Sequence, residues 1–175
     1  MESRAKLLGH PIHPMLIVLP LGLFISAVVF DALYLWQGNS TFAAVAYWNG
    51  FAGIIGGLLA AVFGFVDWLA IPSGTRAKRI GLLHGGSNVI VVVLFTLVCL
   101  MRTSVPGYIP SATSFFIEVV ALLLGSVAGW LGGELVDRLG VGVDDGAHLD
   151  APSSLSGRPA RARESSGPAH QRRAS

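Results

Sequence analysis

The stretch PMLIVLPLGLFISAVVFDALYLW, residues 14–36, decides the class of this protein. Its only ionisable carboxylate is Asp31, and the run exceeds the ~20 residues that cross the hydrocarbon core of a bilayer. Working outward, three more apolar stretches of spanning length follow, at about 47–71, 80–101 and 113–136. The 175 residues are 53% hydrophobic and 13% charged, with mean hydropathy +0.65. Soluble chains carry about 25% charged residues, so a soluble globule is excluded. The expected fold is all-α, a polytopic membrane four-helix bundle over residues 1–143. From 144 to 175 the sequence turns to Asp, Ser, Pro, Gly, Ala and Arg, a composition that predicts a disordered cytoplasmic C-terminal tail.

Charge placement sets the expected orientation. Eleven of the twelve Lys and Arg residues fall at the N-terminus (Arg4, Lys6), in the second connection (Arg76, Lys78, Arg79) or from Arg138 onward. Positive loops are retained in the cytoplasm, which predicts both termini on the cytoplasmic side of the inner membrane and Arg102 in the opposite layer. The QGNSTFAAVA connection (37–46) and the TSVPGYIP connection (103–110) then lie outside. The first run is too long for a signal core of about 7–15 residues and ends in Asp31 and aromatics, so the first helix is expected to stay in the protein.

The lone Cys99 excludes an internal disulfide and a multi-cysteine metal site. The basic residues form no nucleic-acid-binding motif, and no nucleic-acid partner is expected. Neither a nucleophile arrangement nor a phosphate-binding glycine loop is present, which argues against a self-contained enzyme. Small residues at three- and four-residue intervals, Gly53, Gly56, Gly57, Ala60 and Gly64 and then Ala121, Gly125, Gly129 and Gly133, read as close helix seams.

Polar groups inside a membrane are costly, so each is a candidate site. His10, His13, Asp67, Trp68, His84 and Asn88 all fall near the cytoplasmic ends of their spans. Both histidines of GHPIHP (9–14) precede prolines, which favours an extended or polyproline segment with His10 and His13 on one side and Pro14 opening the helix. Three imidazoles and a carboxylate suit a transition metal, with His10, His13, His84 and Asp67 as ligands. Two imidazoles on opposing helices alone suit haem b, with His13, His84 and His10 as the candidates from which the axial pair would come, Trp68 against the porphyrin, and Asp67 and Asn88 as acceptors fixing the imidazole tautomers. Glu134 and Asp137 close the fourth span in the same layer without a ligand role. In the opposite layer Asp31, Asn49, Arg102 and Glu118 read as an ion-paired cluster around Arg102. His148 and His170, in the tail, read as solvated bystanders.

GHPIHPMLIVLPLGLF, GFVDWLAIP (64–72), GLLHGGSN (81–88) and GWLGGELVDRLGVGV (129–143) resemble a bacterial family of short four-span membrane proteins catalogued as domain of unknown function 2231. The resemblance covers nearly all of the chain but the tail, and maps the candidate ligands onto His10, His13, His84 and Asp67. Some relatives carry a Rieske-type iron–sulfur domain on the same chain, which implies a redox setting. Asp137 departs from the pattern, since relatives often have an aromatic there. The reading that follows is a redox or sensor module binding haem b or a transition metal, in contact with the lipid bilayer, with room for a redox partner protein and a homo-oligomer. A proton- or ion-coupled transporter and a structural subunit are the competing readings; charge is absent from the middle of every span, which weighs against transport.

Overall fold

Proline and glycine shape the N-terminal approach to the membrane. The computed structural model describes residues 1–161. A short antiparallel hairpin pairs β1 (Lys6–Leu7) with β2 (His10–Pro11). Its two-residue turn needs positive φ at both positions, supplied by Leu8 at 51° and Gly9 at 85°. Pro11 then caps α1 (Ile12–Leu16). This corrects the polyproline reading: His10 is a strand residue and His13 a helical one, so they do not share a side. Helix α1 begins two residues before Pro14, whose missing N–H still falls within the first turn, where helical donors have no partner. Pro20 cannot donate to the Leu16 carbonyl, and the helix breaks at Ile17 before α2 (Val18–Gln37) resumes the same span.

The other spans are α3 (Ser40–Ala70), α4 (Arg76–Arg102) and α5 (Ala112–Gly133), the last running on through a π-helical turn at Glu134–Arg138. All four spans are long and apolar enough to cross a membrane. Asn39, Thr75 and Ser111 cap α3, α4 and α5, each side chain accepting a backbone N–H from the first turn. The Asn39 cap starts α3 seven residues before the expected span, because polar Ser40 and Thr41 fit a first turn. The first connection shrinks accordingly to Gly38 and Asn39, with Gly38 left-handed at φ 71°. Large apolar side chains such as Leu58, Val62, Leu97, Leu123 and Phe116 point outward, which suits a lipid surround.

Helix α3 packs on α2 and α4, and α5 on α4 and α2, leaving α2 and α4 diagonal. The diagonal pair meets through side chains spaced identically in both helices. Phe24 stacks on Phe95 with centroids 4.0 Å apart, Asp31 pairs with Arg102, and His13 meets His84. Each pair is separated by 71 residues. The buried positions of α2, Pro20, Phe24, Ala27, Val28 and Asp31, recur 71 residues on as Val91, Phe95, Val98, Cys99 and Arg102. Ala46, Gly50, Gly53 and Ala60 of α3 recur 68 residues on as Ser114, Glu118, Ala121 and Ala128 of α5. The bundle is thus two helical hairpins related by a pseudo-two-fold axis along the helices, and the diagonal pairs meet across that axis.

The N-terminal segment is clasped to residues 140–145. The Met1 ammonium donates to the Gly140 carbonyl (3.0 Å), and Gly142 N–H donates to the Met1 carbonyl (2.8 Å). The Lys6 ammonium bonds both Asp144 and Glu2, which raises its pKa. Glu2, accepting from Lys6 and from the Asp145 N–H, titrates below the usual carboxylate range. Residues 144–161 of the expected tail follow turns and a 3-10 turn at Ser154–Ser156. Within them Asp144 and Asp145 are held to the N-terminal segment, and His148 is exposed. The rest of the tail, with His170, lies outside the described residues.

Candidate functional site

Each hairpin delivers one histidine to the other across the axis, near the end that carries Met1 and Gly140. His13 Nδ1 bonds the Ala60 carbonyl at 2.9 Å, and His84 Nδ1 bonds the Ala128 carbonyl at 2.8 Å. A carbonyl only accepts, so both Nδ1 atoms carry the proton, and in the neutral rings both Nε2 atoms present a lone pair. The centroids lie 6.2 Å apart with the planes at 88°. One helical turn beyond each accepting alanine a glycine makes room for the ring. A Cβ on Gly64 would stand 2.8 Å from His13 Cε1, and one on Gly132 3.0 Å from His84 Cε1. An Ala-x-x-x-Gly notch in the second helix of each hairpin therefore both seats and orients an imidazole.

The structure brings together His13, His84 and Asn88, and places the other candidates elsewhere. The Asn88 amide donates to its own helix at the His84 carbonyl (2.9 Å) and stands 3.4 Å from His84 Nε2. The tautomers are set by the two alanine carbonyls, not by Asn88 and Asp67 as expected. Asp67 instead anchors the N-terminus, accepting from the Ser3 hydroxyl (2.8 Å) and from the N–H groups of Arg4 (2.8 Å) and Ala5 (3.3 Å). His10 is exposed on the hairpin, its Nε2 3.3 Å from Ser154 Oγ. Trp68 braces the α3–α4 connection: its indole N–H donates to the Lys78 carbonyl, and the Lys78 ammonium lies 3.8 Å above its ring. Glu134 pairs with Arg76, while Asp137 is exposed. The expected four-ligand set of His10, His13, His84 and Asp67 therefore does not converge. Among the described residues no group of three or more His, Cys, Asp or Glu side chains is placed to hold a metal ion.

At the opposite end the charged residues converge on Arg102. The guanidinium holds Asp31 through Nη1 and Nη2, Glu118 Oε1 through Nη1 (3.2 Å), the Ala43 carbonyl through Nη2 (3.0 Å) and the Tyr108 carbonyl through Nε (2.8 Å). All five of its N–H donors are used. Asn49 stands apart from this cluster and donates to Ser26 (2.8 Å).

Two features escaped the sequence reading. Gly64 is a ring notch as well as a seam residue, and Gly132 was not singled out at all. The signal was present: histidine, phenylalanine and a charged residue recur with the same spacing at 13, 24, 31 and at 84, 95, 102.

A family model described as a predicted membrane protein (DUF2231) matches residues 9–145, a range that includes both notches and the Arg102 cluster. No curated protein and no solved structure matches the sequence.

Proposed function

The chain belongs to the DUF2231 family of predicted membrane proteins, and we propose that it is a redox or sensor module of the bacterial cytoplasmic membrane. In this reading it binds one transition-metal centre, haem b iron or a single ion, through Nε2 of His13 and Nε2 of His84. The observation that carries the reading is the imidazole pair. Both rings are locked by Nδ1–H bonds to helix carbonyls, the arrangement that fixes the tautomer and raises the basicity of metal-binding histidines. With nitrogen–metal distances of ~2.0–2.1 Å, two imidazoles on opposite sides of one metal place their centroids about 6 Å apart; here they are 6.2 Å apart. A bound centre of this kind supplies one-electron chemistry or a ligand-sensing site. The protein's own part is to hold two neutral nitrogen donors in fixed tautomers.

The charge pattern supports cytoplasmic termini. Arg4, Lys6, Arg76, Lys78, Arg79 and Arg138 belong to the histidine end, while Arg102 lies at the other end, already paired with Asp31. A redox partner would then meet the protein from the cytoplasm, and a second copy of the chain would meet it within the bilayer.

The test is a visible spectrum of the purified protein, oxidised and dithionite-reduced, with metal analysis of the same sample. Haem gives a Soret band that moves on reduction, and a bare ion gives a colourless protein with stoichiometric metal. His13→Ala and His84→Ala should each abolish the cargo, whereas His10→Ala and Asp67→Asn should retain it. A wild-type protein that is colourless and free of metal, even after incubation with haem and with divalent metals, overturns the reading. A reporter fused after Ser175 should be active only as a cytoplasmic reporter.

A further inference from the structure

The Arg102 cluster contains one more carboxylate than its single cation can neutralise. Asp31, fully buried, takes the guanidinium end-on with both oxygens. Glu118, 2% exposed, has one contact of 3.2 Å through Oε1, and its Oε2 is buried without a partner. An orphaned buried oxygen is rare and calls for a cause, and an uncompensated charge held away from water is costlier still.

Among the described residues the neighbours offer no second cation. The remaining titratable groups of this layer are Tyr47 on α3, Cys99 on α4 and Tyr108 in the following connection, all neutral or acidic. The repeat offers none either: the α3 position equivalent to Glu118 is Gly50, which faces Cys99 and Phe95. Asp31 and Arg102 balance each other across the axis, and Glu118 is the residue without a counterpart. The two carboxyl groups also share one guanidinium nitrogen, Nη1, an arrangement that sets two ionised carboxylates against each other and that an acid beside a carboxylate relieves.

We propose that Glu118 is a proton-binding site at the end of the bundle remote from His13 and His84, with Oε2 protonated in the folded protein at neutral pH. The bound proton forms an O–H on Oε2, and the cluster then holds one negative charge, on Asp31, against one positive charge, on Arg102. Loss of that proton sets Glu118 against Asp31 for the same guanidinium. Because Asp31–Arg102 ties the two hairpins together, proton occupancy at Glu118 bears directly on how this end of the bundle closes.

Infrared spectroscopy of the full chain in lipid nanodiscs at neutral pH tests this. The wild type should show the carbonyl stretch of a protonated carboxylic acid, shifted in D2O and shifted again in protein made by cell-free synthesis with carboxyl-13C glutamate. Glu118→Gln should lose the band and melt no lower than the wild type, since glutamine mimics the neutral acid. The proposal is overturned by absence of the band, by a band that survives Glu118→Gln or moves only with labelled aspartate, or by a Glu118→Gln protein that fails to fold or melts well below the wild type.

Discussion

At one end of the bundle, positions 71 residues apart hold two histidines; at the other end the same relationship holds an aspartate and an arginine. Symmetry brings both pairs to the axis, yet the chemistry of the two is opposite. Asp31 and Arg102 satisfy each other, because one accepts and the other donates. His13 and His84 cannot, because each has committed its proton to a carbonyl of the other helix in its own hairpin, and the remaining nitrogens are both acceptors. Between them the Phe24–Phe95 stack separates the ends with apolar rings. A pair of unlike residues on a pseudo-two-fold axis closes on itself, while a pair of like acceptors needs a donor from elsewhere, which Asn88 offers to His84 at 3.4 Å. The first works as a lock between hairpins, and the second is the pair on which the proposed function rests.

The hardest way to break this comparison is to remove the lock. Arg102→Met leaves Asp31 buried without a partner, and breaking a buried pair from one side costs about 3–5 kcal/mol. The expected result is a severe fall in thermal stability, whereas His13→Ala, which strands no charge, should cost much less. Equal losses would mean that the two ends are not different in kind.

A finer test acts on the notches. Gly64→Ala drives a methyl to 2.8 Å from His13 Cε1 and 2.9 Å from Nδ1, and Gly132→Ala one to 3.0 and 3.3 Å from the same atoms of His84. Overpacking of this order costs about 1–3 kcal/mol. Gly64→Ala should be the more damaging of the two in stability and in any metal or haem content. Gly129→Ala, where an added Cβ meets nothing within 4 Å, serves as the control.

The smallest effect belongs to the exposed clasp beside the histidine end. Glu2 titrates below its ordinary range, so its contribution is present above the unfolded carboxylate value and is lost as pH falls through the lowered one. Lys6 is raised by Asp144 and Glu2, so its contribution is present below the unfolded amine value and is lost as pH rises through the raised one. A nitroxide label introduced at Leu7→Cys should therefore be least mobile from mildly acidic to moderately alkaline pH and loosen at both extremes. Lys6→Met should loosen it throughout without changing the melting of the four spans.

Four spans, their order and the two polar layers were legible in the sequence, because hydropathy sums along one chain and depth follows from a rise of ~1.5 Å per residue. The cluster around Arg102 was legible for the same reason: one cation in an otherwise basic-free layer attracts the carboxylates that share its depth. Asp67 and His10 misled because depth does not distinguish neighbours. Asp67 shares a layer with the histidines but bonds the chain's own N-terminus, and His10 was drawn off by a hairpin whose Leu8–Gly9 turn carries no strong sequence signal.

The amino-acid order by itself thus determined that the protein is a four-span membrane bundle and at which depth each polar group sits. Only the tertiary structure decided which groups meet. The packing of the first span against α4, and the placing of Ala60–Gly64 and Ala128–Gly132 beneath the imidazoles, bring His13 and His84 together and leave His10, Asp67 and Trp68 with other partners. Depth is a property of one helix, whereas pairing is a property of two, and it is settled by how closely small residues let the helices approach.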